Sequence, residues 1–97
     1  MNWTMESRIA AVDAILQAAP VVPVLTIERL DDAVPLARAL ADNGLPVLEV
    51  TLRTDVARAA IERIAREVPN AIVGAGTVLK REDLLAVSDA GAQFAIS

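Results

Sequence analysis

The sequence predicts a parallel α/β fold, and three observations predict it. From residue 21 onward in the 97-residue chain, short β-branched apolar runs alternate with amphipathic stretches of helical period, the pattern of β-α units joined into a parallel sheet. Hydrophobic residues make up 55% of the chain, yet it has one Phe, one Trp and no Tyr. A core of Ala, Val, Ile and Leu suits helices packed on buried parallel strands. The run VLEVTLR, residues 47–53, is apolar on one face and carries a carboxylate, a hydroxyl and a guanidinium on the other. The fold must therefore give that second face something other than a helix to meet.

The elements follow in order. Ile9, Val12, Ile15 and Leu16 stand at helical spacing within residues 5–18 and predict an amphipathic opening helix, ended by Ala19-Pro20. VVPVLTI, residues 21–27, predicts the first strand, although Pro23 removes one ladder donor. Asp31 and Asp32 precede a helix over about 33–42, with Pro35 tolerated in its first turn and Asn43-Gly44 as its stop. VLEVTL is the second strand. Thr54 is the expected N-cap of the next helix, whose buried stripe is Ala57, Ile61, Ile64 and Val68, while Arg58, Glu62 and Arg66 share a solvated face. Pro69-Asn70 breaks it. AIVGA, residues 71–75, is the third strand. KREDLLAVSDAG, residues 80–91, is a helix stopped at Gly91, and AQFAIS, residues 92–97, is the fourth strand. Each connection has room for one helix, so right-handed crossovers are expected.

Length and charge bound the function. Ninety-seven residues make one modest domain, with no linker or low-complexity tract. Net charge is −4 with no Lys/Arg run, so neither a nucleic-acid surface nor an acidic membrane surface is indicated. Cysteine and histidine are absent, which removes disulfides, thiolate nucleophiles, histidine bases and the usual zinc sites. A metal would have carboxylates alone, and no EF-hand spacing occurs. MNWTMESR has no basic segment leading into an apolar one, and the apolar runs fall far short of the ~20 residues that span a bilayer. The expectation is a soluble cytoplasmic protein without metal or cofactor.

Side chains alternate along a strand, so Leu48, Val50 and Leu52 share one face and Val47, Glu49, Thr51 and Arg53 the other. In an open doubly wound sheet both faces meet helices. In a (β/α)8 barrel the second face lines the interior, which becomes the active site toward the C-terminal rim. Glu49, Thr51 and Arg53 climb toward that rim. Two plainer readings stand beside this one: a structural Glu49–Arg53 ion pair, or an edge strand with one wet face. GAGTV, residues 74–78, also has more than one reading. Its glycines allow close backbone approach, with Thr77 presenting a hydroxyl at the rim; a plain βα turn is the simpler alternative. A phosphate cradle is the third, without the Lys-Ser/Thr of a P-loop or a full dinucleotide fingerprint.

VVPVLTIERLDDAVPLARAL, VLEVTLRT, VPNAIVGAGTVL and AGAQFAIS, in this order and spacing from Val21 to Ser97, resemble the start of the KDPG/KHG aldolases. The resemblance implies a (β/α)8 barrel, normally trimeric, of which this chain covers an opening helix and about four strands as a single partial domain, 1–97. It implies a class I lyase that cleaves 2-keto-3-deoxy-6-phosphogluconate, and often 4-hydroxy-2-oxoglutarate, through a Schiff base between a lysine and the substrate ketone. By the same resemblance Glu49 matches the general acid/base, Arg53 the residue that binds the pyruvate carboxylate, and Thr77 a hydroxyl that also contacts it. The partner is thus a small keto acid, and no cofactor is called for.

The resemblance also implies that the Schiff-base lysine lies on strand six and the phosphate site near strands seven and eight, beyond Ser97. Lys80 does not match that lysine; it falls at a helix start. The 97 residues on their own are therefore expected to be inactive. Two other functions remain to be weighed. One is a non-catalytic half-barrel that oligomerises through open sheet edges. The other is a flavodoxin-like receiver, which would want a phosphoacceptor Asp where the third strand ends in Gly-Ala-Gly.

Overall fold

The computed structural model describes residues 21–97, and the expected opening helix at 5–18 lies outside them. Three parallel strands form one sheet in the order β1-β2-β3: β1 is Val24–Leu25, β2 is Val47–Thr51 and β3 is Ile72–Gly76. Three helices connect and follow them: α1 over Ala33–Asp42, α2 over Ala57–Glu67 and α3 over Arg81–Ala90. A 3-10 turn at Leu30–Asp32 leads into α1.

The strand alternation decides which face is core. Leu48 and Val50 of β2 and Val73 and Ala75 of β3 are buried in one cluster with Ala33 and Ala37 of α1, Ala60, Ile61 and Ile64 of α2, and Val87 and Ala90 of α3. All three helices thus contribute to the layer on one side of the sheet. The opposite side holds a smaller cluster, in which Val47 and Phe94 are buried with Val22 and Ile72 against them. The stripe expected for α2 is the observed one: Ala57, Ile61, Ile64 and Val68 are buried. Gly44 and Gly91 end α1 and α3 with φ of +88° and +106°, a conformation glycine adopts without a Cβ clash.

Four expectations are corrected in detail. The first strand is Val24–Leu25 rather than 21–27. Pro23 has no N–H to give, although its carbonyl accepts the Glu49 N–H at 2.9 Å. Asp32, at the cap position of α1, makes no side-chain capping bond. Thr54 is not the N-cap of α2: its hydroxyl donates to the Ile27 carbonyl at 2.6 Å, and the helix begins at Ala57. The fourth strand is reduced to one parallel bridge, Ala75↔Ala95. The segment still runs beside β3, with Gln93 N–H donating to Val73 O at 2.8 Å and Ile96 N–H to Ala75 O at 2.8 Å. No helix among the described residues is long and apolar enough to cross a membrane.

Candidate active site

β2 is paired on both sides, to β1 through Val24↔Glu49 and to β3 through Glu49↔Gly74. Glu49 is therefore on a central strand, and the edge-strand reading falls. Its side chain lies on the face away from the helices, above the Val47–Phe94 cluster. Glu49 faces Gly74 in register, yet its carboxyl lies over Gly76, two residues further toward the C-terminal end. The carboxyl group thus sits at the level where β3 ends and Thr77 begins. It is partly buried, and the loss of hydration raises its proton affinity above the ordinary carboxylate range.

Two glycines alternate on that face of β3. A Cβ at Gly74 would run into the Phe94 ring, and one at Gly76 into Glu49 Oε2, with Glu49 Cδ at 2.7 Å. These glycines stand inside a strand, Ile72–Gly76, so neither the phosphate-cradle reading nor the plain-turn reading of GAGTV describes them. Their positions two apart were the available signal: glycine at one parity of a strand marks close approach by neighbouring side chains.

Thr51 is 4% exposed and completes the same face. Its hydroxyl donates to Leu25 O at 3.2 Å, which uses its one proton, so Thr26 is the donor in the 3.1 Å contact between the two hydroxyls. This pair ties the end of β1 to the end of β2. Sequence reading placed Thr51 on the face but did not find its partner.

Arg53 stands one residue beyond Leu52, whose N–H donates to Gly76 O at 2.9 Å. Arg53 is exposed and, among the described residues, is in no ion pair with Glu49. The structural ion-pair reading therefore falls as well. Thr77 is partly buried and has φ of +61°. That conformation is rare for a β-branched residue, and strain of this kind costs about 1–3 kcal/mol and gathers at functional sites. Arg53 and Thr77 thus both lie just past the C-terminal ends of adjacent strands. Lys80 is exposed at the start of α3, in the wall of a groove of about 220 Å³ with Val78, Arg81, Leu84 and Ala95. Neither that groove nor a second of about 200 Å³ beside Asp55 and Asp83 includes Glu49. Among the described residues no three carboxylates gather as metal ligands would.

The profile of the family described as KDPG and KHG aldolase matches residues 12–97. The chain belongs to the KDPG/KHG aldolase family. The KHG/KDPG aldolase of Escherichia coli (strain K12) is 55% identical over 99% of this chain, which spans 43% of that relative's length. A solved 2-keto-3-deoxy-6-phosphogluconate aldolase of Zymomonas mobilis ZM4, in complex with 3-phosphoglycerate, superposes with a TM-score of 0.85 at 51% identity over 89% of this chain and 41% of its own. The KDPG aldolase of Legionella pneumophila, solved with pyruvate captured at low pH as a covalent carbinolamine intermediate, gives 0.82 at 50% identity, covering 87% and 41%. The receiver reading is set aside by this membership.

Proposed function

We propose that this chain carries the proton-transfer and carboxylate-binding part of a class I aldolase site, in a cytoplasmic, homotrimeric (β/α)8 enzyme. Its substrates are 2-keto-3-deoxy-6-phosphogluconate, cleaved to pyruvate and glyceraldehyde 3-phosphate, and 4-hydroxy-2-oxoglutarate, cleaved to pyruvate and glyoxylate. The observation that carries the reading is Glu49: a partly buried carboxyl group with raised proton affinity, on a central strand, facing away from the helices at the C-terminal end of the sheet. The covalent pyruvate adduct of the Legionella pneumophila relative supports amine addition to the keto carbon.

The roles follow from the chemistry. A lysine amine from a later strand adds to the C2 ketone, and loss of water leaves an iminium ion that serves as electron sink. Deprotonation of the C4 hydroxyl then breaks the C3–C4 bond, the electron pair moving onto the imine nitrogen to give an enamine and an aldehyde. Protonation at C3 and hydrolysis release pyruvate. Each stage moves a proton, and a carboxyl group whose proton affinity is raised by burial is suited to carry it in both directions. Arg53 grips the C1 carboxylate by two parallel hydrogen bonds, and the Thr77 hydroxyl adds a further donor. Together they fix the ketone relative to Glu49.

The test is a barrel completed by joining residues 1–97 to the C-terminal part of the Escherichia coli relative. Pyruvate release from 2-keto-3-deoxy-6-phosphogluconate is expected, with Arg53→Lys raising KM because a point charge replaces the two-point grip. A completed barrel that forms a borohydride-stable pyruvate adduct but cleaves neither substrate would refute the reading. The 97 residues alone should release no pyruvate and give no borohydride adduct at Lys80, which stands exposed at the start of α3 in a groove that does not include Glu49.

A further inference from the structure

We propose that Gly76 is a positioning residue for Glu49: its bare Cα forms the floor on which the Glu49 carboxyl group lies, and a side chain at this position displaces that group from its place on the sheet. The argument begins with why position 76 is glycine. Gly44 and Gly91 have positive φ, and there the backbone explains the residue. Gly76 is not among the positive-φ residues, so its conformation is open to any L-amino acid. It lies inside β3 and is buried. A Cβ there would meet the far end of the Glu49 side chain, with Oε2 in severe overlap, Cδ at 2.7 Å and Cγ at 3.0 Å, so the glutamate must move to make room for it.

The surroundings explain why Glu49 takes this place. On the β1 side its register partner is Val24, which carries a branched side chain. On the β3 side the register partner is Gly74, followed by Gly76 on the same face. The glutamate therefore leans over β3 and toward its C-terminal end. Thr51, two residues along β2, is held by Leu25 O and the Thr26 hydroxyl. The groups flanking Glu49 on β1, β2 and β3 are thus uncharged, and Arg53, past the end of β2, is the nearest charge along its own strand. The close approach to Gly76 accompanies the partial burial that raises the proton affinity of the carboxyl group.

The placement stands on geometry; only its catalytic meaning rests on the reading of Glu49 as the proton carrier. The experiment uses this chain with Gly76→Ala, Gly76→Ala combined with Glu49→Ala, and Gly74→Ala, whose Cβ would meet Phe94 instead. Carboxyl-carbon NMR follows the Glu49 titration, and thermal unfolding follows stability. Gly76→Ala is expected to shift the Glu49 midpoint down toward the ordinary glutamate range, with a smaller loss of Tm than Gly74→Ala, since the carboxyl group can swing aside whereas the buried Phe94 ring cannot. In the Glu49→Ala background the same change should leave Tm equal or higher. Gly74→Ala should lower Tm and leave the Glu49 midpoint in place. If Gly76→Ala alone does not fold, a folded double variant supports the proposal and an unfolded one overturns it. An unmoved Glu49 midpoint in folded Gly76→Ala, or an equal loss of Tm with and without the Glu49 side chain, also overturns it. Should the midpoint move while the completed barrel carrying Gly76→Ala keeps full turnover, the placement stands and the catalytic reading of Glu49 fails.

Discussion

Burial makes Glu49 hold its proton more tightly than a glutamate in water, and this has a consequence for folding. Its folded pKa lies above the unfolded one, so its contribution to stability is fully present below the unfolded pKa and is lost as pH rises through the folded pKa. Stability should therefore decline between the ordinary glutamate range and the raised value, and Glu49→Gln should flatten that stretch of the pH–stability curve. An unchanged slope in denaturant titrations across this window would contradict the burial account. Thr77 poses the opposite test. Glycine accepts φ of +61° freely, so Thr77→Gly should gain roughly 1 kcal/mol from released strain, net of added unfolded-state entropy. Thr77→Ala keeps the Cβ and should not gain, and both variants should bind pyruvate less well in the completed barrel. At this scale the alternation of LEVTL was legible, because period 2 is a property of the strand itself. The left-handed Thr77 was not, because nothing in the residue type announces a conformation that its neighbours impose.

Hydrogen bonds across elements explain where the strand and helix boundaries moved. β1 has two paired residues, and Thr51 compensates by bonding both Leu25 O and the Thr26 hydroxyl. Thr51→Val leaves two polar groups without their partner and should cost about 1–2 kcal/mol. The loss should be read locally, as faster hydrogen exchange of the Glu49 amide that bonds Pro23 O; uniform acceleration across α2 and α3 would contradict a local role. Thr54 shows why the start of α2 was not legible. A threonine before an apolar stripe has the chemistry of an N-cap, but the Ile27 carbonyl, 27 residues away in sequence, takes its hydroxyl. A local pattern carries no sign of such a competitor. The stripe of α2 and the glycine stops were legible because each depends on residues within a turn or two.

Among the described residues, one sheet face meets three helices and the other carries Val47, Phe94 and the Glu49 rim. That asymmetry is what the mixed faces of strand 47–53 announced. The described residues also expose Val24, Leu79 and Ile96, at 61%, 75% and 38%. Among the described residues β1 has one strand neighbour, and the segment at 93–96 runs along β3 on one side. Open edges beside apolar side chains favour association, so sedimentation of the isolated 97 residues at micromolar concentration should show self-association; a compact stable monomer would contradict this. The central claim, that Glu49 moves the proton at the pyruvate methyl carbon, is tested most directly by following exchange of that methyl group in deuterated water on the completed barrel. Under the proposed mechanism wild type and Glu49→Gln should both trap pyruvate with borohydride, the variant more slowly, since the lysine supplies the amine and Glu49 speeds the proton transfers. Exchange should fall by about 10²-fold or more in Glu49→Gln. Undiminished exchange in Glu49→Gln, with the imine intact, would contradict the account.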